Sequence, residues 1–521
     1  MTAAVGTGEL LERDGDLAVL AAALERAADG DGGVAIVSGE AGIGKTSLLE
    51  AFAAQARERE ARVLVGACDD LLSPRTFGPF RDMVRGGRGP LARAFGDGGA
   101  DGDSVLAALL DEVTSPLEAT VLVVDDVQWA DEATLDAVRF LGRRLRGTTG
   151  LLVVAHRDDL PPAHPLRAVL GALTGPSVVR VALRRLSPDA VTALVGDAPL
   201  DPAAVHAVTS GNPFFVSEVL ATPEAPVPPT VRDAVLARVA ALPAATRETL
   251  EVLAVAPRGL ASELLGAVLP DPEAIAEAEH RGIVVFDGTQ LRYRHELARR
   301  AVEESMPAAI RRSAHARVLA ASRAAGAEPA VLVHHAVGAG DVDAIIASAP
   351  QAAALAARAG SHREAAARYA EVLAHADRLT EVEAADLRRR YAWELSLVGR
   401  AEEAVTAADA AVAARERLGD PLALGEALVT LAVARYWAVD ASGALAAAER
   451  AVELLAGAPA RAEARALATL AFVLVMRNRY ADAVPVARRG AALAEAAGDP
   501  RIQARALAQE GTALLLLGEE A

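Results

Sequence analysis

Gly39-Glu-Ala-Gly-Ile-Gly-Lys-Thr46 is the segment that decides the fold of the first part of this chain. It matches the pattern GxxxxGK[ST] and lies between an apolar stretch at 34–38 and a stretch at 45–58 with the pattern of a helix. Glycines allow successive backbone N–H groups to turn inward around an anion, and the start of a helix adds the positive end of its dipole. The segment therefore predicts a phosphate-binding loop between a strand and a helix.

Two side chains of this segment predict the ligand. In such a loop the lysine, Lys45, contacts the β- and γ-phosphates of a nucleotide, and the hydroxyl of Thr46 binds Mg²⁺. Lys45 is also the single lysine among the 53 Lys and Arg residues. A glycine-rich turn without a ligand is the alternative, but the eight matched positions favour ATP or a similar nucleotide. The predicted contacts are Gly39, Glu40, Ala41, Gly42, Ile43, Gly44, Lys45, Thr46 and Ser47.

A second apolar segment, Val121-Leu-Val-Val-Asp-Asp126, ends in two carboxylates. After a phosphate loop, a buried strand that ends in acids predicts the second half of a nucleotide site. Asp125 is expected to hold Mg²⁺ directly or through water, and Asp126 to orient or deprotonate an attacking water. A simple turn at the end of a strand is the alternative for this pair.

A third predicted strand, at 151–155, leads into His156-Arg157-Asp158-Asp159. An arginine just past a central strand is placed to contact a γ-phosphate, as arginines do in phosphoryl transfer. Arg157 is therefore a candidate catalytic residue. The alternative is a surface arginine paired with Asp158 or Asp159.

Five segments, taken in order, resemble the STAND class of P-loop ATPases, and more closely the large ATP-binding regulators of the LuxR family, the MalT-like group. They are LLERDGDL at 10–17, GEAGIGKTSLL at 39–49, VLVVDDVQWAD at 121–131, VVAHRDDL at 153–160 and TSGNPFFVSE at 209–218. The resemblance covers roughly 8–310. The two phosphate-site motifs are generic to many NTPases, whereas their combination with the Gly-Asn-Pro-Phe-Phe segment is much more specific.

The resemblance also implies roles for single residues. Leu11 to Arg13 would lie near the adenine, although Glu12 stands where many relatives have glycine. Arg157 would sense the γ-phosphate, and Pro213 would close over the adenine and ribose. The neighbouring Asn212 has a loop cap as its alternative interpretation.

The order of elements predicts an α/β P-loop NTPase core at 1–183, with a mostly parallel sheet. Its five expected strands are 34–38, about 62–68, 121–126, 151–155 and about 178–183. A helical lid is expected at 184–225, ending in a proline-rich linker at 223–229. Helices followed by a hairpin around Asp287-Gly288 predict a winged-helix domain at 226–310. In the resembled family this domain folds back on the nucleotide and a histidine touches the β-phosphate of ADP; His295 is the matching residue, with a capping histidine as the alternative.

From 311 to 521 the sequence predicts TPR-like α-helical repeats. Alanines at 365, 404, 444 and 483 follow similar turn segments at spacings of 39, 40 and 39 residues. Such helix pairs stack into a superhelix with a concave binding face, and a plain helical bundle is the alternative. The last residues, Gly518-Glu-Glu-Ala521, resemble the start of another repeat. We therefore expect a longer protein whose missing C-terminal domain, by family analogy, binds DNA.

Composition excludes several classes of function. The net charge of −17 argues against a chain that coats nucleic acid or an anionic membrane. The single cysteine, Cys68, excludes an intrachain disulfide framework. The longest apolar run, about 466–476, is too short to span a bilayer. We expect a cytoplasmic protein without a membrane partner.

These observations predict an ATP/ADP-dependent switch of a transcriptional regulator with slow ATP hydrolysis. An inducer or regulatory protein would bind the repeats, ATP would promote a homo-oligomer, and DNA would bind only through the missing domain. One alternative is a continuously cycling ATPase, such as a motor or kinase-like enzyme. Another is a TPR-like scaffold whose P-loop is vestigial.

Overall fold

The computed structural model of the protein describes residues 10–71, 74–85, 87–96, 101–114, 118–221, 230–269 and 271–518. These residues form two compact units. The first runs to Ser348 and includes 358–360, and the second contains 349–357 and the residues from Ser361 onward.

The first unit begins with a parallel sheet of five strands in the order β2-β3-β4-β1-β5. The strands are β1 Gly33–Ser38, β2 Arg62–Ala67, β3 Thr120–Asp125, β4 Gly150–His156 and β5 Val178–Ala182. The α/β class and all five predicted strands are confirmed. In the register, Ser38 pairs with His156 and Ala67 pairs with Asp125, so the carboxyl ends of the strands share one edge.

Helices cover both faces of this sheet, which explains why β3 and β4 are buried along their whole length and apolar except at their ends. The helices of this part are α1 Asp14–Ala28, α2 Lys45–Glu58, α3 Gly78–Met83, α4 Pro90–Gly96, α5 Gly102–Val113, α6 Glu132–Gly142 and α7 Pro165–Ala172. On one face Phe52 of α2 packs against the sheet, and on the other Leu109 of α5 does so.

Three short helices follow the sheet: α8 Pro188–Val195, α9 Pro202–Thr209 and α10 Pro213–Leu220. Each begins with proline directly after a residue whose side chain caps the helix, namely Ser187, Asp201 and Asn212. They lie where short helices were predicted. The proline-rich linker predicted at 223–229 lies outside the described residues.

The next part of the first unit combines helices with a small antiparallel sheet in the order β6-β8-β7. Its elements are α11 Val231–Ala240, α12 Ala244–Ala254, β6 Leu260–Ala261, α13 Ser262–Val268, α14 Pro272–His280, β7 Val284–Phe286, β8 Gln290–Tyr293 and α15 Glu296–Ser305. The predicted hairpin is present as β7 and β8. Strand β6 was not predicted, because its two residues become a strand only through pairing with Leu291 and Gln290 of β8.

The remaining helices continue to the end of the described chain. They are α16 Ala308–Ala324, α17 Pro329–Ala339, α18 Val342–Arg358, α19 His362–Leu373, α20 Glu381–Leu397, α21 Ala401–Leu418, α22 Pro421–Trp437, α23 Ala441–Leu455, α24 Ala460–Met476, α25 Tyr480–Ala496 and α26 Pro500–Leu517. None of the described helices is both long enough and apolar enough to cross a lipid bilayer.

The second unit has the predicted period. The alanines that set the spacing, Ala365, Ala404, Ala444 and Ala483, lie near the starts of α19, α21, α23 and α25. All four are 0% exposed. A methyl side chain at each of these positions lets the following helix approach closely, so the helical pairs stack in TPR-like fashion.

Candidate functional site

The phosphate loop connects β1 to the first residue of α2. Gly42 and Gly44 have φ angles of +77° and +97°, in the left-handed region that glycine adopts without strain. At Gly42 a Cβ atom would lie 2.9 Å from Leu297 of α15 and 2.9 Å from Phe214 of α10. The loop is therefore in direct contact with two helices that follow the parallel sheet in sequence.

Lys45 is buried within this loop, with 7% of its surface exposed. Its Nζ donates hydrogen bonds to the carbonyl oxygens of Gly39 and Glu40, both at 2.9 Å. Burial lowers the pKa of Lys45, and the carboxylates of Asp126 and Asp125 partly oppose that shift. The ammonium group is thus held at the loop, close to both acids of the second motif.

Thr46 and Asp125 bring the two motifs together. The Oγ1 atom of Thr46 donates a hydrogen bond to Oδ2 of Asp125 at 2.7 Å. The other carboxylate oxygen accepts from the backbone N–H of Asp126 at 2.8 Å. Burial and the adjacent Asp126 raise the pKa of Asp125. A cation beside this carboxylate would relieve that unfavourable charge.

These two side chains fit a magnesium ion. Mg²⁺ prefers hard oxygen ligands in an octahedron with bonds of about 2.0–2.1 Å, so neighbouring ligand oxygens lie about 3 Å apart. The Oγ1 of Thr46 and the Oδ2 of Asp125 are 2.7 Å apart. Both atoms are oxygen ligands of the kind that Mg²⁺ prefers, and they lie beside the loop that would hold the phosphates.

The candidate catalytic residues Asp126 and Arg157 are connected through Gln128. Oδ1 of Asp126 accepts from Nε2 of Gln128 at 2.8 Å, and Oε1 of Gln128 accepts from the backbone N–H of Arg157 at 3.1 Å. Gln128 is not among the residues predicted from the sequence, because its position depends on the short 3₁₀ turn Val127–Trp129 after β3. A polar residue two positions after the paired acids was the available signal.

Arg157 is the residue predicted to contact the γ-phosphate, and this role stays a prediction. It follows β4, which is between β3 and β1 in the sheet. Its guanidinium is 5.7 Å from the ring centroid of Trp129, in a cation–π contact. Its positive charge also contributes to the lowered pKa of Lys45.

The segment predicted to lie near the adenine is fastened to the loop. Nη2 of Arg13 donates to the carbonyl oxygens of Ile43 at 3.2 Å and Arg184 at 2.7 Å. Leu11 packs against the apolar cluster of α8, α9 and α10. Glu12 has a φ of +57°, a conformation that suits glycine, which the resembled family often has there. Its carboxylate accepts from the backbone N–H and the hydroxyl of Ser187.

Glu40 and Asn212 form a second connection to the loop. Arg185 makes a bidentate ion pair with Glu40, with N···O distances of 2.9 and 2.6 Å. Asn212 donates from Nδ2 to Oε1 of Glu40 at 2.9 Å and to the carbonyl of Ala41 at 3.0 Å. Burial would raise the pKa of Glu40, but these hydrogen bonds outweigh it and lower the pKa. Glu40 therefore stays ionised.

Asn212 also has the capping role that was its alternative interpretation. Its Oδ1 accepts from the backbone N–H groups of Phe214 and Phe215 at 3.1 and 3.2 Å. The N–H of Phe214 lies 3.2 Å from the carbonyl oxygen of Gly42 as well. Pro213, the first residue of α10, lies between these contacts. Its predicted role at the adenine and ribose stays a prediction.

His295 precedes α15 and packs on Phe214, with ring centroids 4.6 Å apart. In the described part of the chain its side chain makes no capping hydrogen bond to α15, so the capping interpretation is wrong. The ring lines a small cavity with Glu218 and Arg238. Burial and the nearby arginines, Arg294 first, lower the pKa of His295 to about 4.

Comparisons with known proteins agree with the first motif. Residues 9–154 match the family model described as an AAA ATPase domain. A search of curated protein sequences gave no significant match.

The solved structures that match this chain have low sequence identity and TM-scores below 0.5. A STAND protein with a tetratricopeptide repeat sensor from Pyrococcus horikoshii is 14% identical, with a TM-score of 0.45, over 95% of this chain and 79% of that chain. BtubC from P. vanneervenii is 16% identical, with a TM-score of 0.31, over 41% of this chain and 86% of that chain. The Aeropyrum pernix ORC1 protein, solved with DNA, is 15% identical, with a TM-score of 0.30, over 57% and 93%.

Proposed function

We propose that this chain is an ATP/ADP-dependent switch of the STAND class that hydrolyses ATP slowly and serves a transcriptional regulator of the MalT-like LuxR group. The observation that carries the proposal is the set of contacts between the phosphate loop and the helices that follow the sheet. The carbonyl oxygen of Gly42 accepts from the N–H of Phe214 in α10, and a Cβ atom at Gly42 would meet both Phe214 and Leu297 of α15. Asn212 bonds to Glu40 and Ala41 of the same loop. A loop that only held a nucleotide would not need these contacts.

The residues at the loop support hydrolysis of ATP. Lys45 would bind the β- and γ-phosphates, and Thr46 and Asp125 would hold Mg²⁺, which neutralises phosphate charge. Asp126 would orient or deprotonate the attacking water, with its carboxylate positioned by Gln128. Arg157 would contact the γ-phosphate. Leu11 and Arg13 would lie near the adenine, and Pro213 would close over the adenine and ribose.

The bound nucleotide would change the conformation of the chain through the contacts of α10 and α15 with the phosphate loop. The γ-phosphate is the only difference between ATP and ADP, and a ligand shifts an equilibrium only through unequal affinity for the two states. In the ADP state His295 would contact the β-phosphate and hold α15 on the loop. In the ATP state Arg157 would bind the γ-phosphate, and the contacts of Gly42 with Phe214 and Leu297 would open.

The remaining parts of the chain would carry the signal. We assign 1–183 to the NTPase core, 184–225 to a lid, 226–310 to a winged-helix domain and 311–521 to repeats that bind an inducer or regulatory protein. ATP would promote a homo-oligomer in the cytoplasm. In the family that the chain resembles, such a switch controls the binding of DNA.

Nucleotide analysis and turnover together test this function. The purified, denatured protein should release ADP, and its turnover should lie well below the roughly 1–100 s⁻¹ of kinases. Lys45→Ala should release no nucleotide. Continuous turnover within or above that range would replace the switch with a cycling ATPase. If the wild type neither retains nor hydrolyses nucleotide at millimolar ATP, a scaffold with a vestigial P-loop is the correct function.

A further inference from the structure

Three histidines meet in the first unit, away from the phosphate loop in sequence. His315 belongs to α16, and His334 and His335 are consecutive residues of α17. They are 4%, 5% and 3% exposed. One ring nitrogen from each can be chosen so that all three lie within 4.8 Å of one another. The chain has only 10 histidines, so the gathering of three in one buried place needs an explanation.

The ring contacts resemble those of metal ligands. Nδ1 of His315 lies 3.1 Å from Nδ1 of His335, so one ring donates a hydrogen bond to the other, and a metal bound to both nitrogens would replace that proton. Nε2 of His334 lies 3.3 Å from the carbonyl oxygen of Val255, at the end of α12. A carbonyl accepts only from a protonated nitrogen, so in the neutral ring Nδ1 of His334 is the nitrogen with the lone pair. A histidine that binds a metal through one nitrogen commonly donates from the other to such a carbonyl.

The backbone of α17 is shaped for one of these rings. A Cβ atom at Gly338 would overlap the ring atoms of His315. Only glycine at this helical position leaves room for the imidazole. Glycine inside a helix costs about 0.5–1 kcal/mol relative to alanine. Placing the ring of His315 here therefore lowers the stability of α17 by about that amount.

We propose that His315, His334 and His335 form a binding site for a divalent transition-metal ion, with Zn²⁺ the preferred occupant. Zinc binds imidazole nitrogens tetrahedrally at about 2.0–2.1 Å, which places ligand nitrogens about 3.4 Å apart. The 3.1 Å separation between His315 and His335 is close to that value. The remaining separations, up to 4.8 Å, would need the rings to move inward by about 1 Å.

Ligand chemistry separates this site from the magnesium site. Three imidazoles suit zinc, copper, nickel or cobalt, whereas Mg²⁺ and Ca²⁺ require oxygen ligands. All three rings are buried, and imidazole binds a metal in its neutral form. Charges of both signs, Asp70 and Arg299, act on His334, and Arg299 is itself paired with Glu296 and Glu303.

The proposed metal would join three helices. It would connect α16 to α17 directly, and through His334 it would hold the end of α12. Three protein ligands leave one tetrahedral position for water or a further ligand. Because the cluster is buried, we assign the ion a structural role.

Zinc binding by the tag-free full chain tests the proposal. After removal of metal with a chelator, calorimetry should give about one Zn²⁺ per chain. Since loss of an outer-shell partner alone weakens metal binding 10- to 100-fold, His335→Gln should weaken it by at least about 100-fold. His280→Gln, which changes an exposed histidine, should bind as the wild type does. Lack of zinc binding by the wild type, or equal binding by His335→Gln, would overturn the site.

A second measurement uses the wild type, so its result does not depend on whether the His335→Gln variant folds. With Co²⁺ in place of zinc, the wild type should show the strong visible absorption of tetrahedral cobalt. The X-ray absorption spectrum should show three imidazole ligands at the metal. Fewer than three imidazoles would overturn the proposal. Lys45→Ala should give the same spectrum, because the phosphate loop supplies none of these ligands.

Discussion

The hydroxyl of Thr46, in the first turn of α2, donates a 2.7 Å hydrogen bond to the carboxylate of Asp125, the last residue of β3. The two residues are 79 positions apart in the sequence. Their contact exists because β1 and β3 run parallel and end at the same edge of the sheet.

This contact predicts a magnesium dependence. Asp125→Asn keeps the shape of the side chain and removes its charge, so ATP should bind at least about tenfold more weakly in the presence of Mg²⁺. With EDTA the wild type and the variant should bind ATP similarly. Asp136→Asn, an exposed carboxylate on α6, is the matched control. Calorimetry that finds equal magnesium dependence in both variants would exclude Asp125 from the metal site.

Lys45 can be tested without a mutation. As the single lysine, it shares amine chemistry only with the N-terminal amine, which serves as the internal standard. An amine-reactive reagent should modify Lys45 more slowly when ATP and Mg²⁺ are bound, because the ammonium then contacts phosphate. Mass spectrometry measures both sites in one experiment. Unchanged labelling of Lys45 with saturating ATP would show that it does not face the phosphates.

Arg157→Ala should weaken the binding of ATP about tenfold and the binding of ADP less, since the guanidinium would contact only the γ-phosphate. Arg139→Ala is the control, because Arg139 is exposed and pairs with Asp136 on the surface of α6. Dissociation constants for both nucleotides decide the role. If ATP and ADP lose the same affinity, Arg157 holds nucleotide without distinguishing the two.

His295→Ala should have the opposite selectivity. Loss of a β-phosphate contact that exists only in the ADP state should weaken ADP more than ATP, again by about tenfold. The same change should raise the oligomer fraction, measured by light scattering, because it removes a contact of the closed state. A variant with normal ADP affinity would assign the ring of His295 to packing on Phe214 alone.

The depressed pKa of His295 also predicts a pH dependence of stability. The folded state has a pKa of about 4, against an ordinary 6.5, so the unfolded chain binds more protons between those values. The free energy of unfolding should therefore fall as the pH drops from 6.5 toward 4, by up to about 1.4 kcal/mol per pH unit from this residue. The charged groups around the ring are Glu218, Arg238, Arg292 and Arg294.

Removing this histidine isolates its contribution. His295→Gln should reduce the slope of the pH profile of urea unfolding in that window, while other buried histidines such as His334 still contribute to it. His280→Gln, an exposed change, should leave the profile as it is. Equal slopes for wild type and His295→Gln would show that the ring titrates normally in the folded protein.

The sequence predicted those features that depend on local pattern. The segment from Val121 to Asp126 could be recognised as a buried strand with terminal acids because no polar residue interrupts its apolar run. The loop from Gly39 to Thr46 has a spacing that phosphate binding imposes. These two patterns predicted the α/β part of the fold, and the repeat of about 40 residues predicted the helical part.

The missed features depend on distant side chains. Gln128 bridges Asp126 and Arg157 only because a 3₁₀ turn follows β3. Arg185 meets Glu40 from 145 positions away. The place of Gln128 two residues after the paired acids is a local signal, whereas nothing near Arg185 in the sequence indicates Glu40 as its partner.

The same holds for the histidine cluster. His334 and His335 are adjacent, but His315 joins them only when α16 packs on α17. Gly338 then makes room for the ring of His315. No motif spacing predicts this arrangement, because it depends on the packing of two helices.

The four buried alanines of the second unit have an evolutionary consequence. Ala365, Ala404, Ala444 and Ala483 occupy equivalent places in successive helix pairs. Each helix pair therefore presents the same packing surface to the next pair. Duplication or deletion of one pair, with its 39 or 40 residues, would rejoin matching surfaces and leave the nucleotide-binding unit unchanged. Relatives could thus differ in the length of this region by whole repeats while keeping one ATPase.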